Sequence, residues 1–437
     1  MDIEKLYSAF CACSGRISTD TRTLKGGELF FALKGENFDG NAYALAALDA
    51  GAAFAVVESV SEATSSGREG IIAVDDTLEA LRALALHHRR ILGAKGTTFI
   101  GLTGTNGKTT TKELIRSVLA TKFKVAATSG NFNNDVGVPL TILSIPEGTQ
   151  IAVVEMGASH PGDIKRLVEV CEPDMGLITN VGKAHLLGFG SFEGVKKTKG
   201  ELYDWIAARG GEIFLNVDES DLVAMAAERS GLSILPYGPS FDGAAVLPAD
   251  AANPFLRIKL GRHIIKTQLV GAYNAANVLA ALSVGARFAV PIADAAKAIA
   301  QYEPANKRSQ MVVTERNTLI LDAYNANPTS MAAALDNFAS VEAASKAALL
   351  GDMRELGADS LQEHCSIAQK ALAIPACRCI FVGEEFAKAL KNLGVEGESF
   401  PDSESLKSFL ESAPISGATV LVKGSRGIQM EKVVPAL

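Results

Sequence analysis

The segment from Thr98 to Leu119 places the strongest constraint on the fold. The apolar run Thr98-Phe99-Ile100 leads into Gly101-Leu-Thr-Gly-Thr-Asn-Gly-Lys-Thr-Thr-Thr111, and helical periodicity follows over Lys112 to Leu119. This order of strand, glycine-rich turn and helix N-terminus forms an anion site. Backbone N–H groups of the turn and the positive end of the helix dipole point at the anion. The segment therefore predicts an α/β domain with a phosphate-binding loop.

Two side chains of this loop match the chemistry of a nucleoside triphosphate. Lys108 is placed to reach the outer phosphates, and the hydroxyl of Thr109 is placed to hold Mg²⁺. The strict motif has glycine where this chain has Leu102, so the loop is a variant in which Gly104 supplies the permissive backbone. A purely structural turn is the alternative, but the Gly-Lys-Thr end lies in the required strand–turn–helix context. The sequence predicts nucleoside triphosphate binding.

Composition limits the class of protein. A chain of 437 residues is expected to form two to four domains, and 48% hydrophobic residues supply several cores. The net charge of −7 argues against a nucleic-acid surface. Six cysteines are too few for a disulfide framework, and neither a signal peptide nor a bilayer-spanning apolar run is recognisable. We expect a cytoplasmic protein without membrane insertion.

Strand and helix patterns predict three α/β domains, with boundaries at 1–94, 95–305 and 306–437 and a linker over 93–96. The first is small, the second is a doubly wound domain that carries the phosphate loop, and the third is Rossmann-like. Strands are predicted at 28–33, 53–57, 71–74, 98–102, 151–155, 175–179, 212–216, 318–322, 346–350, 378–382 and 420–422. Residues 244–270 resemble β-hairpin material, and 271–290 and 292–300 read as helices.

Polar residues follow several predicted strands, where doubly wound sheets bind ligands. Glu155 ends one strand, and His185 lies in the loop after another. Together with Thr109 they form a candidate Mg²⁺ ligand set. A solvated strand end and a loop histidine are the alternatives for each residue alone. Asn133 and Asn134 lie in a polar, glycine- and proline-bearing segment that is either a turn or a substrate contact.

Three further groups remain open on spacing alone. Lys199 reads as a solvated helix face. The segment from Asp322 to Ser330 follows a predicted strand, and a helix-capping turn explains Asn327 but not the whole polar set. Lys423 and Arg426 follow the last strand as candidate anion contacts or as a polar terminal turn.

Motifs along nearly the whole chain resemble the ATP-dependent Mur ligase family. They are T-G-T-N-G-K-T-T at 103–110, N-F-N-N-D-V-G-V-P-L-T at 131–141, E-M-G-A-S at 155–159, N-V-G-K-A-H at 180–185, K-G-E at 199–201, N-A-A-N at 274–277, D-A-Y-N-A-N-P-T-S at 322–330, G-D-M-R-E-L-G at 351–357 and K-G-S-R at 423–426. The asparagine-rich segment, E-M-G-A-S and D-A-Y-N-A-N-P resemble the family member that acts last.

The resemblance implies three domains, for UDP-substrate binding, ATP binding and closure over the site. It implies that a carboxylate of UDP-N-acetylmuramoyl-tripeptide attacks ATP to give an acyl phosphate, which the amine of D-alanyl-D-alanine then attacks. ATP, two Mg²⁺ ions and a carbamylated Lys199 are the implied cofactors. The implied partners are these small molecules alone, with a monomeric enzyme and no nucleic acid.

Site residues carried over from the family fall into three sets. The catalytic and metal set is Thr109, Glu155, His185 and Lys199, with Lys108 as a catalytic cation. The nucleotide set is Gly104, Thr105, Asn106, Gly107, Lys108, Thr109, Thr110, Asn277, Arg308 and Asp322. The substrate set is Thr19, Asp20, Arg22, Asn133, Asn134, Tyr324, Asn325, Asn327, Arg354, Lys423, Ser425 and Arg426.

Three other interpretations compete with this one. The first is a Mur ligase that adds the third residue of the peptide, or an unusual amide ligase with another amine acceptor. The asparagine-rich and D-A-Y-N-A-N-P segments argue against it. The second is an ATPase with a phosphate loop that is stimulated by a protein partner. The third is a nonenzymatic UDP-sugar-binding relative, which is expected to lack Lys108, Glu155 or His185.

Overall fold

The N-terminal region is a four-stranded parallel sheet in the order β1-β2-β3-β4, covered by helices. The computed structural model describes residues 2–35, 37–249, 253–304 and 308–437. The elements of this region are α1 Ile3–Ala12, β1 Ile17–Ser18, β2 Leu29–Phe31, α2 Ala44–Asp49, β3 Phe54–Glu58, α3 Glu62–Ser65, β4 Ile71–Val74 and α4 Thr77–Ala94, with 3₁₀ turns at 21–23 and 40–43.

The middle region is a six-stranded parallel sheet in the order β10-β9-β8-β5-β7-β6, followed by a three-stranded antiparallel sheet, β11-β12-β13. Its elements are β5 Thr98–Thr103, α5 Lys108–Leu119, β6 Val125–Ala127, α6 Gly137–Leu143, β7 Ile151–Glu155, α7 Asp163–Cys171, β8 Met175–Ile178, α8 Leu186–Phe189, α9 Phe192–Ala207, β9 Glu212–Asn216, α10 Ser220–Ala227, β10 Ser233–Tyr237, α11 Pro239–Asp242, β11 Ala244–Leu247, β12 Arg257–Leu260, β13 His263–Lys266, α12 Ala275–Arg287 and α13 Ile292–Gln301, with a 3₁₀ turn at 272–274.

The C-terminal region is a six-stranded sheet in the order β14-β15-β19-β16-β17-β18, parallel except for the antiparallel edge strand β14. Its elements are β14 Gln310–Val313, β15 Thr318–Asp322, α14 Pro328–Ser340, β16 Lys346–Gly351, α15 Ser360–Leu372, β17 Cys377–Val382, α16 Glu384–Leu393, β18 Glu398–Phe400, α17 Ser403–Ser412 and β19 Thr419–Lys423, with 3₁₀ turns at 357–359 and 430–436. The predicted α/β class is confirmed, and in the described residues the middle region carries a small antiparallel sheet in addition to its parallel one.

Helix α4 corrects one detail of the predicted organisation. The linker predicted over 93–96 is wrong in its first half, because Gly93 and Ala94 are the last residues of α4. Leu81, Leu84 and Leu92 of α4 share one hydrophobic core with Phe99 and Val138 of the middle region. The predicted boundary at 305/306 falls outside the described residues. No helix in the described part of the chain is long and apolar enough to cross a membrane.

Strand order explains why the polar motifs converge. β5 lies between β7 and β8, and all three strands run parallel. Their interiors are buried and apolar, as expected for a sheet covered on both faces. The phosphate loop, Glu155 and the segment after Ile178 therefore emerge side by side at the same edge of the sheet.

Candidate active site

The phosphate loop is held by the segment that follows β8. Thr105 N–H donates to the carbonyl of Asn180 at 3.0 Å, and Asn106 N–H donates to the side-chain oxygen of Asn180 at 3.0 Å. The Thr179 hydroxyl donates to Asn106 O at 2.7 Å. Gly104 has φ +146°, and a Cβ there would lie 1.9 Å from Thr179 Oγ1. The loop therefore needs glycine at this position for both backbone conformation and space.

Lys108 and Thr109 begin helix α5, directly after Gly107, which has φ +78°. The Lys108 ammonium donates to Gly104 O at 2.8 Å and to Thr105 O at 3.1 Å, so it lies within the loop. Burial lowers the pKa of Lys108, and the negative charge of Glu155 opposes that shift. The Thr109 hydroxyl donates to the two oxygens of Glu155 at 3.0 and 3.2 Å.

Glu155 is 1% exposed and is surrounded by polar partners. Asn133 Nδ2 donates to it at 2.9 Å, and its own N–H donates to Thr128 Oγ1 at 2.9 Å. The fully buried Lys112 ammonium lies 3.9 Å from Glu155 Oε2 and 2.9 Å from a Glu113 oxygen, and also donates to Thr128 O. Lys112 is not among the predicted site residues, because in the sequence it looks like an ordinary residue of the helix that follows the phosphate loop.

Lys199 lies inside helix α9 and is 3% exposed. No carboxylate of the described residues lies within ion-pair distance of its ammonium, which lies 5.9 Å from the centre of the Phe189 ring. Burial lowers its pKa far below the usual value, and the positive charge of Lys108 lowers it further. The solvated-face alternative for Lys199 is wrong. An unpaired buried amine of this kind is favoured in its neutral form.

His185 has φ +51° and precedes helix α8. Its ring Nδ1 contacts the carboxylate of Glu355 from the C-terminal region. Burial lowers the pKa of His185, although the negative charge of Glu355 opposes this. Nearby, Lys183 pairs with Glu363 of α15 at 2.6 Å. Residues 106 and 182–187 of the middle region contact residues 327–329 and 355–363 of the C-terminal region. We call this contact the seam.

A second part of the seam joins the phosphate loop to helix α14. Asn327 Nδ2 donates to Asn106 Oδ1 at 2.8 Å, and Asn106 Nδ2 donates to Asn327 Oδ1 at 3.4 Å. Asn327 also caps α14, because its side chain accepts the N–H of Ser330 at 2.9 Å. Asn327 therefore caps helix α14 and also contacts the phosphate loop.

The segment after β15 supplies the next group. Asp322 accepts the ammonium of buried Lys423 and, at 3.3 Å, the N–H of Ser309. The Arg308 guanidinium lies 3.8 Å from the centre of the Tyr324 ring, a cation–π contact, and that of Arg426 lies 5.8 Å from the same ring. Arg308 Nε is buried without a hydrogen-bond partner among the described residues.

Asn277 lies at the start of α12, against the phosphate loop. It accepts the Thr111 hydroxyl at 3.0 Å and donates to Asn274 Oδ1 at 2.9 Å. A Cβ on Gly107 would lie 2.6 Å from Asn277 Oδ1. The loop and α12 are therefore in direct contact, as a shared nucleotide site requires.

These groups surround a cavity of about 1020 Å³ between the middle and C-terminal regions. The predicted site residues that line it are Thr105, Asn106, Gly107, Lys108, Thr110, Asn133, Asn134, Glu155, His185, Asn277, Arg308, Asp322, Tyr324, Asn325, Asn327, Lys423 and Arg426. Asn180, which no predicted set includes, also lines it.

Other predicted residues lie away from the cavity lining. Thr19, Asp20 and Arg22 lie in the N-terminal region. Asp20 and Arg22 form an exposed ion pair at 2.7 Å, and hydrogen bonds from Arg22 lower the pKa of Asp20 to about 2. Arg354 approaches Gly427, where a Cβ would lie 2.8 Å from its Nε. The Ser425 hydroxyl is buried without a hydrogen-bond partner among the described residues.

The donor set is compatible with Mg²⁺. Among the described residues, no group of three histidine, cysteine or carboxylate side chains lies close enough to hold a metal alone. Mg²⁺ is instead usually bound through one or two carboxylates together with substrate phosphates and water. The Thr109–Glu155 pair beside a phosphate loop fits that pattern.

Comparison with known proteins identifies the family of this chain. Three family models match in succession: "Mur ligase family, catalytic domain" over 15–89, "Mur ligase middle domain" over 102–285, and "Mur ligase, glutamate ligase domain" over 307–426. The UDP-N-acetylmuramoyl-tripeptide–D-alanyl-D-alanine ligase of Bacillus subtilis is 35% identical, covering 96% of this chain and 92% of its own. The chain belongs to the Mur ligase family.

Solved structures agree with this Mur ligase assignment along the whole chain. MurF from Acinetobacter baumannii superposes with a TM-score of 0.84 at 28% identity, covering 96% of this chain and 92% of its own. MurF from Thermotoga maritima, solved in complex with ADP, superposes with a TM-score of 0.82 at 26% identity over 97% of both chains.

Proposed function

We propose that this Mur ligase joins D-alanyl-D-alanine to UDP-N-acetylmuramoyl-tripeptide at the expense of ATP, through an acyl phosphate, releasing ADP and phosphate. The observation that carries the proposal is one cavity that combines a phosphate loop with polar strand ends of the C-terminal region. Relatives that bear the name of this ligase align with 96–97% of the chain. The enzyme makes a peptide precursor of the cell wall.

The chemistry explains why the cavity needs cations among its carboxylates. A free carboxylate is a poor electrophile, because oxide is a poor leaving group, and phosphorylation provides phosphate instead. Bringing the tripeptide carboxylate to ATP places two anions together. Lys108 and Arg308 line the cavity, and we assign to them the roles of offsetting that repulsion and of stabilising charge on the transferring phosphoryl group.

Thr109 and Glu155 are the residues that we propose for one Mg²⁺ ion, with His185 and Lys199 at a second. Mg²⁺ supplies charge neutralisation and orientation of the phosphates. Lys199 suits carbamylation, in which its neutral amine adds to carbon dioxide and loses one proton. Burial and the absence of an ion-pair partner among the described residues support this role, because the anionic carbamate would face Lys108 favourably.

We assign the remaining residues by their place around the cavity. We assign Asn277 and the loop residues to ATP. Asn133, which donates to Glu155, and Asn134 also line the cavity, and we assign them to the tripeptide. Tyr324, Asn325, Asn327, Lys423 and Arg426 face the dipeptide from the C-terminal region. We assign Thr19, Asp20 and Arg22 to the UDP moiety. We also propose that the domain limits lie at 94/95 and 305/306. Arg354 and Ser425 remain assigned to the closing contact.

We also propose a monomeric, cytoplasmic enzyme that acts on small molecules. Size-exclusion chromatography with light scattering, which gives a mass near 45.8 kDa for a monomer, tests the first point.

The deciding experiment measures phosphate release from ATP with UDP-N-acetylmuramoyl-tripeptide, with and without D-alanyl-D-alanine, and determines product mass. We expect release to require the dipeptide, and a product heavier than the tripeptide by the dipeptide less water. Running diaminopimelate and lysine forms of the tripeptide side by side identifies the third residue. Dipeptide-independent hydrolysis or an unligated product would contradict the proposal.

A further inference from the structure

The contact between His185 and Glu355 is the most informative feature of the seam. These residues are 170 positions apart in sequence, and one comes from each side of the cavity. An ionised carboxylate can only accept hydrogen bonds, so the ring nitrogen that faces it, Nδ1, must carry the proton. In the neutral imidazole this leaves Nε2 as the nitrogen with a free lone pair.

Backbone conformation shows that the contact is built into both segments. His185 has φ +51° and Glu355 has φ +64°, and both are non-glycine residues in the left-handed region. Such conformations cost free energy and persist only where the surroundings fix them, most often at functional sites. Two of them meeting at one hydrogen bond is not expected of an incidental surface pair.

Further contacts fix the geometry of this pair. Leu187 N–H donates to the carbonyl of Glu355 at 3.2 Å, and Gly357, with φ +60°, lies against the Leu187 side chain. Within the C-terminal region, buried His364 accepts the N–H of Met353 through Nε2 at 3.0 Å and so anchors the segment that leads to Glu355. The carboxylate is therefore presented from an ordered segment, although its side chain is 57% exposed.

We propose that Glu355 is a positioning residue that sets the tautomer and orientation of His185 from the C-terminal region, so that Nε2 is free to bind the metal. A carboxylate or carbonyl on the second ring nitrogen is the usual arrangement for a metal-binding histidine. The inference rests on the proposed function, because it deepens the role of His185. It also means that His185 acquires its binding tautomer only when the C-terminal region is docked.

Glu363 provides a matched control. It also crosses the seam, to Lys183 in the same loop, but its partner is an ammonium that needs no fixed tautomer. Glu355→Ala removes the acceptor for Nδ1–H, Glu355→Gln keeps an acceptor oxygen without the charge, and Glu363→Gln weakens the seam without touching His185. A merely structural role in the seam predicts similar effects from Glu355→Ala and Glu363→Gln.

The first measurement needs no variant. Nitrogen-15 spectra of histidine-labelled full-length enzyme with Mg²⁺, an ATP analogue and the tripeptide substrate report which ring nitrogen of His185 carries the proton, with His185→Asn as the assignment standard. We expect protonation at Nδ1, and loss of that fixed tautomer in Glu355→Ala. Protonation at Nε2 in the wild-type complex would overturn the inference.

The second measurement is Mn²⁺ binding to the same complex, followed by electron paramagnetic resonance. We expect Glu355→Ala to weaken the weaker Mn²⁺ site about tenfold or more, Glu355→Gln to restore part of the loss, and Glu363→Gln to change it less than about twofold. Equal effects of Glu355→Ala and Glu363→Gln would contradict the inference. The ligase assay of the wild-type enzyme tests the proposed function separately, since its product does not depend on the state of Glu355.

Discussion

The two sides of the cavity are built in different ways. The phosphate side is one continuous segment, from Thr98 to Leu119, stiffened by the neighbouring strand ends of the same sheet. The seam is assembled from side chains such as Asn106, His185, Asn327 and Glu355, which are far apart in sequence. The phosphate side is therefore preorganised by local structure, whereas the seam exists only while the C-terminal region is docked.

This difference predicts two kinds of variant. Changes on the phosphate side are expected to remove turnover while leaving the docking of the C-terminal region intact. Each change in the seam is expected to have a smaller effect, on the KM for D-alanyl-D-alanine or for ATP, because each contact is one of several.

The largest effect is expected for Lys108→Ala. Its ammonium lies within the phosphate loop, and no other cation of the described residues donates to that loop's carbonyl groups. We expect turnover to fall by about a thousandfold or more, because a preorganised charge at the transferring phosphoryl group is lost. Steady-state assays and circular dichroism check this, with Lys124→Ala, an exposed lysine beyond the same helix, as the control. Near-normal turnover would overturn the site assignment.

Lys199→Ala is expected to lower turnover by about a hundredfold, because the carbamate proposed there is lost. Short carboxylates such as acetate should restore part of the activity by occupying the space that the side chain leaves. Lys197→Ala is the matched control, since Lys197 lies on the same helix but is exposed. A fully active Lys199→Ala enzyme, or a loss that no carboxylate reverses in a folded protein, would argue against the carbamate.

The local geometry of the phosphate side could be predicted from the sequence for the same reason that this side is preorganised. Strand, turn and helix are adjacent in the chain, so Gly104, Lys108 and Thr109 could be read from one motif. The position of Glu155 beside this loop could be predicted because parallel strands bring their carboxyl ends to one edge of the sheet. Lys112 was missed because only the fold shows that its helix face is turned toward Glu155 and not toward solvent.

The seam could be predicted only in part. The resemblance assigns Arg354 within the G-D-M-R-E-L-G motif, and the structure adds Glu355, whose carboxylate contacts His185. No local pattern indicates which of two adjacent charged residues faces another domain, because that depends on how the two regions dock. Similarly, the capping signal of Asn327 was readable, but its hydrogen bond to Asn106 was not.

Asn327→Ser separates the two roles of this residue. Serine preserves the helix cap, but its side chain is too short to maintain the amide pair with Asn106. We expect the KM for D-alanyl-D-alanine to rise about tenfold, since the pair holds residues 322–330 against the phosphate loop, while ADP affinity by calorimetry changes little. A double-mutant cycle with Asn106→Ala should give a coupling energy of about 1 kcal/mol. Additive effects would show that the pair does not couple the two sides.

The smallest effect is expected for Tyr324→Leu, which removes the ring that lies 3.8 Å from the Arg308 guanidinium. A cation–π contact of this kind contributes about 0.5–1 kcal/mol where water has access, which corresponds to a change of about two- to fivefold. We expect the KM for ATP to rise by about threefold, because Arg308 then samples other orientations, and kcat to stay nearly constant. Tyr324→Phe keeps the ring and should behave like the wild-type enzyme. If Tyr324→Phe is as impaired as Tyr324→Leu, the hydroxyl and not the ring carries the role, and Tyr324 acts through the dipeptide alone and not also through the support of Arg308.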